Sequence, residues 1–178
     1  MLNSNIYLIG YRACGKTTVG KLLAAESGLE FADTDVMSVS FCGCEIATLV
    51  ENEGWDRFRD IESNMLRETC RRKGLVVSCG GGIVLRPENR KILSESSTVY
   101  LEAPSSVLAE RLEADPIHGQ RPSLTGKSIV EEVRDVLEQR RNLYEESAFI
   151  KIDATRDPLD IVSELIERFN IGIKGDMA

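Results

Sequence analysis

The stretch Ile6-Tyr7-Leu8-Ile9-Gly10-Tyr11-Arg12-Ala13-Cys14-Gly15-Lys16-Thr17-Thr18-Val19 decides how the rest of the chain is read. A run of four apolar residues is followed by a glycine-bounded loop and then by a helix start. The loop fits G-x-x-x-x-G-K-[ST], the phosphate-cradling P-loop. Gly10 and Gly15 permit backbone angles and a close approach that a Cβ would block. Successive N–H groups of the loop then turn onto a phosphate, and the helix that follows adds its unpaired N–H groups and positive dipole end. In this arrangement Lys16 reaches the β- and γ-phosphates and the Thr17 hydroxyl holds Mg²⁺.

With 178 residues the chain has the size of one domain with a real core. Its net charge of −7 argues against a nucleic-acid partner, and it requires that any anionic ligands be met by basic residues gathered in one place. No signal peptide is visible at the N-terminus, and no apolar run approaches the ~20 residues of a membrane span. Five cysteines, Cys14, Cys42, Cys44, Cys70 and Cys79, read as reduced thiols, so the expected setting is the cytoplasm. The pair Cys42 and Cys44 lacks a second ligand pair at zinc spacing, and the one histidine is His118.

Outward from the loop, Val19, Leu22 and Leu23 form the apolar face of a helix stopped at Gly28. Leu29 to Ala32 reads as a strand ending at Asp33-Thr34-Asp35. From Glu45, Ile46, Leu49, Val50, Trp55, Phe58, Ile61, Met65 and Leu66 recur at helical spacing, with Gly74 as the stop after Arg71-Arg72-Lys73. Leu75 to Ser78 is a strand running into Gly80-Gly81-Gly82, and Pro87 to Leu93 forms a short helix. Thr98 to Leu101 is a strand, and Pro104 to Ala114 a helix. The polar segment through Gln120-Arg121-Pro122 has no period and reads as a mobile loop. Ser128 to Glu146 is a long helix, Phe149 to Ile152 a fifth strand, and Asp157-Pro158 the start of a last helix. Strands alternating with helices, without hairpin signals, predict an α/β fold with a parallel sheet covered on both faces. Ligands in such sheets bind beyond the carboxyl ends of the strands.

The candidate residues collect at those ends. In an extended chain Asp33 and Asp35 share one face, which lets one carboxylate serve Mg²⁺ and the other an acceptor hydroxyl. The glycine triplet suits a backbone pressed against a ligand. Arg121 on a closing loop is placed to neutralise charge on a transferred phosphoryl group. Of the adjacent Arg140 and Arg141, at most one faces inward.

In these motifs the chain resembles the shikimate kinases over nearly its whole length to about residue 169. The resemblance is carried by Gly10 to Thr18, Asp33-Thr34-Asp35, Phe58-Arg59, Gly80-Gly81-Gly82, Gln120 to Lys127, Arg140 with Leu143-Tyr144, and Ile152 to Pro158. It implies a five-stranded parallel sheet of nucleoside-monophosphate-kinase type in the order 2-3-1-4-5. It also implies a single domain spanning 1–178, with a mobile lid at about 113–127 and a substrate-binding helical segment at about 36–73. ATP would lie on Arg12, Ala13, Cys14, Gly15, Lys16, Thr17 and Thr18, with Arg111 and Arg156 toward adenine and Arg121 on the phosphates. Thr17 and Asp33 would hold Mg²⁺. Shikimate would lie against Asp35, Arg59, Gly80, Gly81, Gly82 and Arg140, and Lys16, Asp35 and Arg121 would carry the chemistry. Arg156 departs from the family pattern, which has Asn or Gln there. Arginine suits the acceptor's carboxylate because its planar fork donates in pairs. Because phosphoryl transfer with a loose transition state needs little early deprotonation, Asp35 is expected to orient the hydroxyl and take its proton late. The implied activity is shikimate phosphorylation by a monomer, with no nucleic-acid or membrane partner. The rival expectations are another small P-loop kinase, such as a gluconate kinase, and a nucleotide-binding module without turnover.

Overall fold

The computed structural model describes residues 4–114 and 127–172. The expected lid, with Arg121 and His118, lies almost wholly outside the described residues. Strand β1 (Ile6–Ile9) leads to helix α1 (Lys16–Ser27), then β2 (Glu30–Asp33), α2 (Thr34–Cys42) and α3 (Ile46–Cys70). Next come β3 (Leu75–Ser78), a short 3₁₀ turn (Ile83–Leu85), α4 (Pro87–Ser94), β4 (Ser97–Glu102) and α5 (Ser105–Ala114). The chain closes with α6 (Ile129–Ser147), β5 (Ile150–Asp153) and α7 (Pro158–Arg168).

All strand pairs are parallel, as the alternation of strands and helices predicted, and the order is β2-β3-β1-β4-β5, as the family resemblance implied. In β1 and β3 every residue is buried. Since alternate side chains point to opposite faces, both faces of these central strands are covered, which is why they read as unbroken apolar runs. Helix α1 packs against α7, and α6 against α4 and α5. The core runs from Ile6, Leu8, Val76 and Val99 in the sheet to Leu23, Val133, Leu137 and Leu165 on these helices. A second, smaller apolar cluster of Leu49, Phe58, Ile61 and Met65 lies on α3.

Helix ends follow local chemistry. Gly28 takes the left-handed conformation that ends α1 (φ 68°), and Asp157 caps α7 by accepting from the N–H of Leu159 ahead of Pro158. Ser128 and Glu131 form a reciprocal capping box that starts α6.

Two local expectations are corrected. Of Asp33-Thr34-Asp35 only Asp33 is extended, as the last residue of β2; Thr34 and Asp35 open α2, and the Asp33 carboxylate accepts from the N–H groups of Asp35 and Val36 and caps that helix. The two aspartates are therefore separated by a cap rather than carried on one face of a strand. Helix α3 ends at Cys70, and Gly74 (φ 76°) serves instead in the turn into β3. Gly54 (φ 83°) also breaks the α3 stripe with a kink that periodicity alone did not reveal.

Candidate active site

The loop after β1 is drawn in around its own lysine. Lys16 Nζ donates to the carbonyls of Gly10 (2.9 Å) and Tyr11 (2.8 Å) and lies 3.6 Å from Cys14 Sγ. Gly10, at φ 140°, is required sterically, because a Cβ there would sit 2.6 Å from the Leu101 carbonyl oxygen. Gly15 (φ 97°) and Ala13 (φ 61°) also take positive φ, so the loop's curvature rests on three such residues. Beside it, Thr17 Oγ1 donates to Asp33 Oδ2 at 3.3 Å and lies 3.5 Å from Ser78 Oγ. Arg111 ties the loop to the chain after β5, donating to the carbonyls of Ala13 (3.3 Å) and Ala154 (3.0 Å). Arg156 pairs with Glu164 on α7.

Adjoining the loop is a pocket of about 550 Å³ including its open mouth. Tyr11, Arg12, Asp35, Ile46, Trp55, Phe58, Arg59, Glu62, Gly81, Gly82 and Arg140 line it. Sequence-predicted residues from the loop after β1, from α2 and α3, from the glycine triplet and from α6 thus meet around one cavity. Arg59 donates to Glu62 Oε2 at 2.7 Å, and its guanidinium carbon lies 5.2 Å and 5.1 Å from the ring centroids of Trp55 and Phe58. The kink at Gly54 lies next to Trp55. Arg140 donates to the Gly81 carbonyl at 2.9 Å, which also accepts from the Tyr144 hydroxyl. Arg141, its neighbour, is exposed.

Two glycines of the triplet have a steric reason. A Cβ on Gly80 would lie 2.5 Å from both Asp35 Oδ1 and Glu62 Oε1, and one on Gly82 would lie 2.0 Å from Arg59 Nη1. Two carboxylates and a guanidinium therefore crowd against bare backbone. The Gly80 N–H donates to the buried Thr34 hydroxyl at 2.8 Å, joining the triplet to α2.

Glu62 escaped the sequence reading, although it stands three residues after Arg59. It is 1% exposed, and its Oε1 has no hydrogen-bond partner among the described residues. Burial pushes its carboxyl up to about 7, against the opposing pull of Arg59. The i, i+3 spacing on a helix was the available signal, but it also describes an ordinary solvated pair.

A family model for shikimate kinase matches residues 12–170. The chain belongs to the shikimate kinase family. A shikimate kinase of Nitratidesulfovibrio vulgaris is 55% identical over 144 residues, covering 80% of this chain and 82% of the relative. Shikimate kinase 2 of Salmonella heidelberg is 49% identical over 162 residues, covering 90% and 89%. The solved shikimate kinase of Acinetobacter baumannii in complex with shikimate superposes with a TM-score of 0.87 at 33% identity, covering 94% and 93%. A gluconokinase of Sinorhizobium meliloti, at 23% identity and a TM-score of 0.61, shares the fold alone.

Proposed function

We propose that this shikimate kinase family member transfers the γ-phosphate of ATP to the 3-hydroxyl of shikimate, giving shikimate 3-phosphate and ADP. The observation that carries the proposal is the single pocket in which Asp35, Arg59, Gly81, Gly82 and Arg140 adjoin the phosphate loop. Arg59 and Arg140 bind the acceptor carboxylate, each held ready: one by Glu62 and two aromatic rings, the other by the Gly81 carbonyl. Asp35 faces the reacting hydroxyl. A bond forms between that oxygen and the γ-phosphorus while the bond to the β–γ bridging oxygen breaks. The hydroxyl proton passes to Asp35 late and then to solvent.

The nucleotide lies on the loop from Arg12 to Thr18. Lys16 exchanges its carbonyl partners for phosphate oxygens, which a flexible ammonium does readily. The oxygens of Thr17 and Asp33, with Ser78 behind them, suit a hard cation completed by phosphate and water. Bound there, Mg²⁺ would neutralise phosphate charge. Among the described residues no three acidic, His or Cys side chains form a metal cage, which fits an ion brought in with its nucleotide. Arg111 supports the loop from the adenine side. We read the chain as one domain, acting as a cytoplasmic monomer; among the described residues no helix is long and apolar enough to cross a membrane.

The test is coupled ADP release with shikimate, gluconate and nucleoside monophosphates, each against a blank without acceptor. Turnover is expected with shikimate, and turnover with only one of the other acceptors overturns the substrate. With Asp35→Asn, kcat should fall about 100-fold or more with little change in ATP affinity. A near-wild-type kcat in that variant removes Asp35 from the reaction.

A further inference from the structure

Arg12 belongs to the phosphate loop by sequence, yet its side chain lines the acceptor pocket with Asp35, Arg59 and Arg140. Its Nη2 forms an ion pair with Glu132 Oε1 in the first turn of α6. The Glu132 side chain is 2% exposed and that of Arg12 18%, so this is a sheltered pair and not a solvated one. The guanidinium carbon also lies 5.6 Å from the centroid of the Tyr11 ring. Arg12 Nε is buried without a hydrogen-bond partner among the described residues.

These facts separate Arg12 from its loop neighbours. A phosphate in the loop is met by backbone N–H groups and by Lys16, and needs no side chain at position 12. Among the described residues, the other two guanidinium groups of the pocket already have fixed places, Arg59 on Glu62 and Arg140 on the Gly81 carbonyl. Arg12 is the third, at the side where loop and pocket meet. Glu132 lies two helical turns before Arg140 on the same buried face of α6, so one helix steers two arginines toward the pocket.

We propose that Arg12 is an acceptor-site residue: its guanidinium, anchored by Glu132, donates to acceptor oxygens at the end of the pocket next to the phosphate loop. There it also meets the phosphoryl group once that group is on the acceptor. Glu132 is a positioning residue, acting through Arg12. The proposal rests on the kinase reading above and deepens it.

The chain has one tryptophan, Trp55, and it lines this pocket, so its fluorescence reports acceptor binding directly. Shikimate and shikimate 3-phosphate would be titrated by fluorescence, and ADP with Mg²⁺ by calorimetry. Wild type, Arg12→Gln, Arg12→Lys and Glu132→Gln would be compared. Arg12→Gln should weaken acceptor and product binding by about tenfold, with ADP affinity within about threefold of wild type. Arg12→Lys should recover part of the loss, and Glu132→Gln should cost about threefold on the acceptor side alone. An acceptor-side loss below threefold in Arg12→Gln, or an equal or larger loss for ADP, overturns the proposal. If Arg12→Gln fails to fold, Arg12→Lys decides by comparison: a loss on the acceptor side larger than for ADP supports the proposal, and an equal or larger loss for ADP, or no acceptor-side loss, overturns it. If the wild type turns over a different acid and not shikimate, the substrate reading fails. The same titrations with that acid then decide Arg12.

Discussion

In the phosphate loop Lys16 reaches carbonyls five and six residues behind it; in the pocket beside it Arg140 reaches Gly81 across 59 residues and Arg12 reaches Glu132 across 120. The loop is built from backbone within one short segment. It needs little more than permitted dihedrals, and it meets its anion with dipoles and one flexible cation. The pocket is built from side chains delivered by separate elements, and it buries charged groups in quantity. Arg59 and Arg140 are 8% and 9% exposed and Glu62 1%. Placing ionised groups there carries a desolvation cost, visible in the raised carboxyl of Glu62. A site made locally can be specified by a motif, whereas one made of buried charges depends on the packing that holds them.

The sharpest test of that contrast is Lys16→Met. It should lower kcat by about 100- to 1,000-fold, the scale of losing one charge-stabilising donor, while acceptor binding stays within about threefold. Steady-state kinetics beside Trp55 fluorescence titration would measure both. Loss of acceptor binding in this variant would show that loop and pocket are one unit, not two.

Gly82→Ala is the counterpart on the pocket side. The backbone at Gly82 (φ −101°) accepts any residue, so the fold should survive. The new Cβ displaces the Arg59 head, and the KM for the acceptor should rise about tenfold with the KM for ATP unchanged. Equal movement of both constants would break the comparison.

Glu62 gives a pH signature. Its folded carboxyl lies near 7 against an ordinary 4.5, so the folded state keeps a proton that the unfolded chain has released. The stability this proton linkage contributes is complete below 4.5 and is lost as pH rises to about 7, a difference of roughly 3 kcal/mol. Asp35 raises this carboxyl further, and Arg59 and Arg140 oppose the shift. Urea unfolding of wild type and Glu62→Gln at pH 5, 6, 7 and 8 should give curves that diverge across that window and run parallel above it. Parallel behaviour throughout would mean that Glu62 is ionised at every pH tested.

The smallest effect belongs to Arg156. Its side chain is turned to Glu164 on the outer surface of α7, and it is 39% exposed. Arg156→Ala should change the KM for ATP less than about twofold, as for an exposed ion pair. A tenfold rise would instead give Arg156 the adenine contact that the family pattern suggests.

The parts legible in the sequence are those fixed by near neighbours or by period. Gly10, Gly15 and Lys16 announce the loop, Asp157-Pro158 announces α7, and strands alternating with helices announce the parallel sheet. Arg59 and Arg140 were reached through family likeness, because an arginine on a helix is ordinarily a solvated charge. Glu62 and Glu132 were missed for the same reason, since an acid near an arginine reads as surface until burial is known. The misreading of Asp33 to Asp35 was local, for an aspartate at a strand end caps a helix as readily as it prolongs a strand. The Gly54 kink left the apolar spacing of α3 nearly intact and so left no mark on the pattern.

What the amino-acid order determined by itself was the phosphate loop, the alternation of strands and helices, and the need for an acidic chain to gather its cations. All of these follow from dihedral freedom, periodicity and charge count. Only the tertiary structure decided which cations were gathered: that Arg12, Arg59 and Arg140 meet at one cavity, that Glu62 and Glu132 hold two of them, and that Arg141 stays outside. Those choices depend on which face of α3 and α6 is covered and on how closely bare glycine backbone lets the helices' side chains approach. Packing across 59 and 120 residues sets both.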